Sequence, residues 1–471
     1  MVRYNPEELA RWSRGVWVPH APVEVLGITQ DTRSLNPGAL YVALEGERFD
    51  GHKFIDRAFE LGASAALVRR DNPYLPESPA QPMLLVENPA DALQAIAAAY
   101  RRQMEISSIA VTGSVGKTTV KDLIADLLGA RLPTARTRGN WNNAVGVPLS
   151  VLGVRRSDEA GVFEVGMNHP GELMPLCQIV LPNWAVITGI GPVHIEFFDS
   201  IEGIAFEKSE VLRSLPEEGT AVLNRDCPFF ELLSAQAPGR VLTVSLTQEA
   251  DYQCLESAIG PSGMTALILE RRTNERHEIF VPLMGRHHIV NAMMAIAVAR
   301  GHEVAWHEIV EILRRFKSAP MRWEQQIVGS VTFINDAYNA NPLSMRAAIE
   351  AFQVVGNGPG RRWLVLGGML ELGRYEAAEH LALGRFLASH AWAGIITVGE
   401  LGETLAEGAR EAGFRTSALF VCEDAEQAAA VLRERIRPGD QVLMKASRGI
   451  RLEEVLQAYR TWGQLPAAVP A

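Results

Sequence analysis

At 471 residues the chain is long enough for about three domains, and 47% hydrophobic with 21% charged residues is an ordinary globular balance able to bury real cores. A formal net charge of −10 argues against a nucleic-acid-binding protein. The opening MVRYNPEELARWSRG has no apolar centre of the secretory-leader kind, no uncharged apolar run could span a bilayer, and the dispersed cysteines Cys177, Cys227, Cys254 and Cys422 form no CxxC pair, so a cytoplasmic protein without a disulfide framework or zinc site is expected.

Along the chain, EVLGITQDTRSLNPGALYVAL predicts two short strand runs around a Pro-Gly turn, and HKFIDRAFELGASAALV predicts a helix, a glycine stop and a strand. RRDNPYLPESPAQP is rich in proline and polar residues, which places a first boundary at residue 84. DALQAIAAAYRRQM then reads as a helix. From there an apolar, β-rich run repeatedly ends in a polar or glycine-rich loop: SIAVTG, GVFEVG, NWAVITGIG, RRWLVLGG and DQVLMKAS. Helical patterns such as VKDLIADLLGA and HHIVNAMMAIAVARG intervene, which implies largely parallel sheets with ligands at the carboxyl ends of the strands. Pro320 and a change of pattern in LRRFKSAPMRWEQ place a second boundary near 317. The expected fold is α/β in three domains: a small N-terminal α/β domain (1–84), a central P-loop-type domain with a mainly parallel sheet (85–317), and a C-terminal Rossmann-like domain (318–471).

The stretch IAVTGSVGKTTV (109–120) carries the most chemistry. Gly113 and Gly116 allow a tight turn that aims the N–H groups of Gly113, Ser114, Val115, Gly116, Lys117, Thr118 and Thr119 at phosphate oxygens. Lys117 supplies a point charge, Thr118 a hydroxyl for Mg²⁺, and the following helix its positive N-terminus. The loop has two residues between its glycines, where the common P-loop has four, so it is of a shorter kind. Only six of the 45 basic residues are lysines (Lys53, Lys117, Lys121, Lys208, Lys317, Lys445), so a lysine in a motif-like loop draws attention to Lys117, Lys208 and Lys445.

Three further residues are ambiguous when taken singly. Glu164 interrupts an apolar strand and suits metal ligation, or else faces solvent at an edge. His194 follows a strand and a Gly-Pro turn, suiting a neutral imidazole ligand or a structural histidine. Lys208 lies on a helix among carboxylates, where a surface salt bridge is the plain reading.

Together, TGSVGKTT, NWNNAVGVP, EVGMNHPGE, HIEFFDSIEGIAFEKSEVL, GRHHIVNAMMAIA, MRWE and INDAYNANPLSM fall in the order and spacing of the Mur ligases, and ITQDTRSLNPGALYVALEGERFDGHKFIDRA extends the match over nearly the whole chain. The chain resembles the dipeptide-adding branch of that family, whose phosphate loop is of the short GxxGK[ST][ST] kind. The resemblance implies an ATP-dependent ligase joining D-Ala-D-Ala to UDP-N-acetylmuramoyl-tripeptide through an acyl phosphate, a monomer with no nucleic-acid or membrane partner. It implies Lys117, Glu164, His194 and Lys208 as catalytic, with Thr118 and Glu164 on one Mg²⁺, His194 on a second, and Lys208 carbamylated as a further metal ligand. Asn291, Arg322 and Asp336 are implied on the nucleotide. Asp31, Thr32 and Arg33 are implied on the uridine nucleotide, where the first domain grips it, with Asn140 and Asn143 also on substrate and Tyr338, Asn339 and Asn341 beside the incoming amine.

The diamino-acid-adding ligase typically reads D-Y-A-H-T-P where this chain has DAYNANP (Asp336–Pro342), and it carries a third-domain D-N-P-R signature that here has only DNPY at Asp71–Tyr74 as a counterpart. That enzyme, a folylpolyglutamate synthase and a P-loop NTPase switch are the alternatives. Two departures stand out: His288 replaces the asparagine of G-x-H-N, and Gly368 replaces the acid of LGDM.

Overall fold

Runs of apolar residues unbroken by polar ones mark strands covered on both faces. Ile109–Val111 within strand Ser107–Thr112, Ala160–Phe163 within strand Ala160–Glu164, and strand Trp184–Ile187 are such runs, and Ala110, Val111, Val162, Phe163, Ala185 and Val186 have no exposed surface. In the computed structural model, which describes residues 1–46, 49–75, 79–260, 262–355 and 360–463, these strands form the middle of a nine-stranded sheet. Its order runs Thr134–Arg136, Ala160–Glu164, Ser107–Thr112, Trp184–Ile187, Thr220–Asn224, Arg240–Ser245 and Tyr252–Gly260, all parallel, then Gly263–Glu270 and Glu275–Val281, antiparallel. Helices Lys117–Leu128, His287–Gly301 and Trp306–Arg315 cover one face. Helices Pro89–Arg101, Gly146–Leu152 and Leu173–Val180 cover the other. Helix His287–Gly301 is buried continuously from Ile289 to Ala299, as its all-round apolar sequence requires.

The C-terminal sheet has six strands, in the order Glu324–Val328, Val331–Asn335, Gln441–Lys445, Arg362–Gly367, Gly394–Val398 and Leu419–Cys422, parallel except for the first. The expected boundary near 317 falls between helix Trp306–Arg315 and strand Glu324–Val328.

The N-terminal sheet has five strands, and it corrects the first boundary. Met83–Val86 pairs with Ala65–Arg69 and with Val16–Val18, so a division at 84 would cut a strand. The proline-rich segment is a crossover inside this sheet, not a linker between domains, and its residues 76–78 lie outside the described ones. Composition marks a loop in both cases. No helix among the described residues is long and apolar enough to cross a membrane.

One buried ionic group fixes the helix pair behind the central sheet. Glu270, 1% exposed at the end of its strand, accepts from Trp306 Nε1 at 2.8 Å, Arg300 Nε at 3.1 Å and Arg272 at 3.2 Å. The indole hydrogen bond and these guanidinium groups outweigh burial and hold the carboxyl below the usual glutamate range. A depressed carboxyl stabilises the fold above its unfolded pKa and loses that contribution as pH falls through the folded one. Glu270→Ala should therefore lower unfolding stability by about 3 kcal/mol at neutral pH. In denaturant titrations the gap to the wild-type chain should shrink as pH falls below the ordinary glutamate range.

Candidate active site

The central sheet delivers its polar loops to one edge. Val111 stands opposite Glu164 and Thr112 opposite Ile187 in adjacent parallel strands. The loop after residue 112, the Glu164 carboxylate and the loop from 188 to 194 therefore emerge side by side at the carboxyl ends, where open parallel sheets bind ligands.

The phosphate loop is clamped by its neighbour. Ser114 Oγ donates to Gly191 O at 3.0 Å and accepts from Gly191 N at 2.9 Å, while Thr188 Oγ1 donates to Val115 O. Both motif glycines are required. Each has positive φ, and a Cβ would lie 2.1 Å from Thr188 Oγ1 at position 113 and 2.9 Å from Asn291 Oδ1 at 116. Helix Lys117–Leu128 starts on Gly116 with no side-chain cap, so the loop leaves backbone N–H groups for an anion. Lys117 folds back onto Gly113 O at 2.8 Å. Burial holds its amine below the usual lysine range; Glu164 opposes the shift and Arg322 adds to it.

Glu164 is buried, so the solvent-facing alternative is set aside. Its Oε2 accepts from Thr118 Oγ1 at 2.8 Å and its Oε1 from Asn142 Nδ2 at 2.8 Å. Its backbone N–H donates to Thr137 Oγ1 at 3.1 Å, and Lys121 Nζ ties the next loop down through Thr137 O at 2.9 Å and Gly139 O at 3.1 Å. The sequence reading left Asn142 and Lys121 without a role, although one stands in NWNN and the other is among six lysines.

Lys208 closes helix Ile201–Lys208 and is 2% exposed, so it is not a surface salt bridge. Burial first, then the Lys117 charge, push its amine well below the usual range, with Glu207 opposing. His194 holds a left-handed backbone at φ +59°, and its Nδ1 meets Glu371 Oε2 from the C-terminal domain. The Glu371 carboxyl is held below the usual range by that contact. Sequence reasoning marked the loop after RRWLVLGG but not Glu371 within it, because its partner His194 lies on another domain. The Glu164 carboxylate and the Thr118 hydroxyl in contact are two oxygen donors of the kind a hard divalent cation takes.

The C-terminal domain closes over this edge. Arg322 donates to Thr118 Oγ1 at 3.0 Å and stacks 4.3 Å from the centre of the Tyr338 ring. Leu343 fills the space that a side chain at Gly191 would occupy. Asp336 accepts from Lys445 Nζ at 2.7 Å and Trp323 N at 3.1 Å, and Lys445 also donates to Asn339 O at 3.0 Å. Asn341 is occupied locally, accepting from Ser344 N at 2.9 Å at the start of helix Pro342–Val355. Asn291 abuts Gly116, and its Nδ2 lies 3.5 Å from Nδ1 of the departing His288. At the other departure, a Cβ on Gly368 would meet Leu401 at 2.7 Å, so an acid has no room there.

The first-domain residues stand apart from this cluster. Asp31 caps the turn Thr32–Ser34 and pairs with Arg33 at 2.8 Å. Beside it, a groove of about 430 Å³ runs between the first domain at Ile28, Thr29 and Ser34 and the central domain at Arg136, Arg138 and Trp141. Asn140 is exposed, and Asn143 spends its carbonyl on Val145 N and Gly146 N.

Comparison with known proteins covers all three regions. Residues 24–101 match the Mur ligase family catalytic domain, 111–299 the Mur ligase middle domain, and 321–448 the Mur ligase glutamate ligase domain. The chain is 37% identical to the UDP-N-acetylmuramoyl-tripeptide–D-alanyl-D-alanine ligase of Bacillus subtilis, over 97% of this chain and 98% of that one. A crystal structure of MurF from Acinetobacter baumannii superposes with a TM-score of 0.87 at 28% identity, covering 98% and 99%. One of MurF from Thermotoga maritima in complex with ADP gives 0.78 at 27%, covering 92% and 97%.

Because Asn142 orients Glu164, Asn142→Ala should weaken Mg²⁺-dependent nucleotide binding by about 10-fold or more. Calorimetric titration with ADP, with and without Mg²⁺, checks this, and metal-free binding should change little.

Proposed function

The chain belongs to the Mur ligase family and is an ATP-dependent ligase that joins D-alanyl-D-alanine to UDP-N-acetylmuramoyl-tripeptide in peptidoglycan synthesis, and we propose that it does so in the cleft around Thr118. The observation that most supports this site is Arg322 of the C-terminal domain resting on the Thr118 hydroxyl of the phosphate loop. Adenine and ribose then lie toward Asn291 and Asp336, and the triphosphate lies on the N–H groups of 113–119.

The tripeptide carboxylate attacks the γ-phosphorus, ADP leaves, and an acyl phosphate forms. The dipeptide amine then attacks the acyl carbon, loses its proton and expels phosphate. The first step brings two anions together, which is the main barrier the site must lower. Lys117 leaves Gly113 O for the β- and γ-phosphates, and Arg322 approaches the same oxygens. Thr118 and Glu164 would hold one Mg²⁺, and His194 with carbamylated Lys208 a second. When bound, these ions neutralise the charge that the reacting carboxylate and phosphate share.

Lys208 suits carbamylation because burial and the Lys117 charge disfavour its protonated form, and the neutral amine, on adding CO₂ and losing a proton, becomes an anion beside the Lys117 cation. Closure of the C-terminal domain shields the acyl phosphate from water, and Tyr338 and Asn339 line the amine side. The groove beside Asp31, Thr32 and Arg33 receives the uridine nucleotide, and Asn140 and Asn143 lie along the way from it to the phosphate loop. All these groups come from one chain, which acts as a monomer in the cytoplasm.

An amine panel tests the reading. With ATP and UDP-tripeptide present, D-Ala-D-Ala should release phosphate and give the pentapeptide product, whereas a free diamino acid should give neither. Steady phosphate release without any amine would favour an NTPase switch.

A further inference from the structure

His194 and Glu371 come from different domains, and both hold left-handed backbones, at φ +59° and φ +63°. Non-glycine residues keep that conformation only where surrounding contacts impose it. The segment carrying Glu371 is pinned to its own domain: Met369 N donates to His380 Nε2 at 2.9 Å, Leu370 N to Ser447 Oγ at 2.9 Å, and Met369 and Leu372 are buried. Its outer side docks on the loop after His194. Arg374 donates to Asp199 O at 2.8 Å, and Gly373 lies against Glu196 so closely that a Cβ would come to 3.0 Å. The Glu371 carboxylate is thus carried by a rigid domain to one nitrogen of an imidazole on another.

We propose that Glu371 is a positioning residue for the metal site: its carboxylate, in ionic contact with Nδ1 of His194, holds that ring edge and keeps Nε2 free for a cation. Metal-binding histidines are generally oriented through their other ring nitrogen by a carboxylate, a backbone carbonyl or a water. Here the carboxylate sits on the closing domain, so the second metal position is complete only when that domain has docked. This rests on the reading of His194 as a metal ligand.

Mn²⁺ titration, read by electron paramagnetic resonance on protein saturated with a non-hydrolysable ATP analogue and UDP-tripeptide, tests it. Glu371→Gly removes the carboxylate at a backbone angle glycine favours, and should weaken the His194-dependent Mn²⁺ by about 10-fold or more. Glu371→Gln, whose amide oxygen still accepts, should retain most of the affinity. Arg374→Ala loosens docking without touching His194 and should lose much less than Glu371→Gly. Equal losses in Arg374→Ala and Glu371→Gly would make Glu371 a latch alone and overturn the proposal, as would unchanged Mn²⁺ binding in Glu371→Gly. If His194→Ala binds Mn²⁺ like the wild-type chain, the metal reading itself falls, and this proposal with it.

Discussion

A single hydroxyl joins the parts of this molecule that must act together. Thr118 Oγ1 donates to Glu164 and accepts from Arg322, which a hydroxyl's one hydrogen and two lone pairs allow at once. Through it the N-terminus of the phosphate-loop helix, the end of the neighbouring strand and the C-terminal domain meet at one atom. Much of the rest serves that junction. The sheet register sets Glu164 beside the loop, Asn142 and Thr137 hold it there, and Lys121 anchors the intervening backbone.

The junction between the central and C-terminal domains also stores strain. Met321 and Trp323 flank Arg322 with positive φ, and His194 and Glu371 share that conformation on the other side. Such residues cost roughly 1–3 kcal/mol each, and they persist where packing over-determines them. Here they place a guanidinium and a carboxylate on the central domain's loops. These contacts, Arg322 on Thr118, Glu371 on His194 and Arg374 on Asp199, all join the same two domains.

The strand, glycine turn and helix of 107–128 were legible because they are written in consecutive residues, and the parallel sheets because strands buried on both faces are largely apolar. The boundary at 84 failed for a physical reason: proline and polar residues mark a loop, whether it crosses within a sheet or links two domains. Lys208 reads as a surface residue among acids, and only tertiary packing shows that its amine is enclosed. Asn143 and Asn341 also spend their carbonyls on local backbone, a role their sequence positions do not reveal. Glu371 and Asn142 act through partners distant in the chain, so no spacing reveals them.

Arg322, by its bond to Thr118, ties the C-terminal domain to the loop of residues 113–119. Small-angle scattering with a saturating non-hydrolysable ATP analogue and UDP-tripeptide measures this directly. Wild-type protein should contract on ligand addition, and Arg322→Ala should bind the nucleotide yet contract far less. An equal contraction in Arg322→Ala would contradict the account.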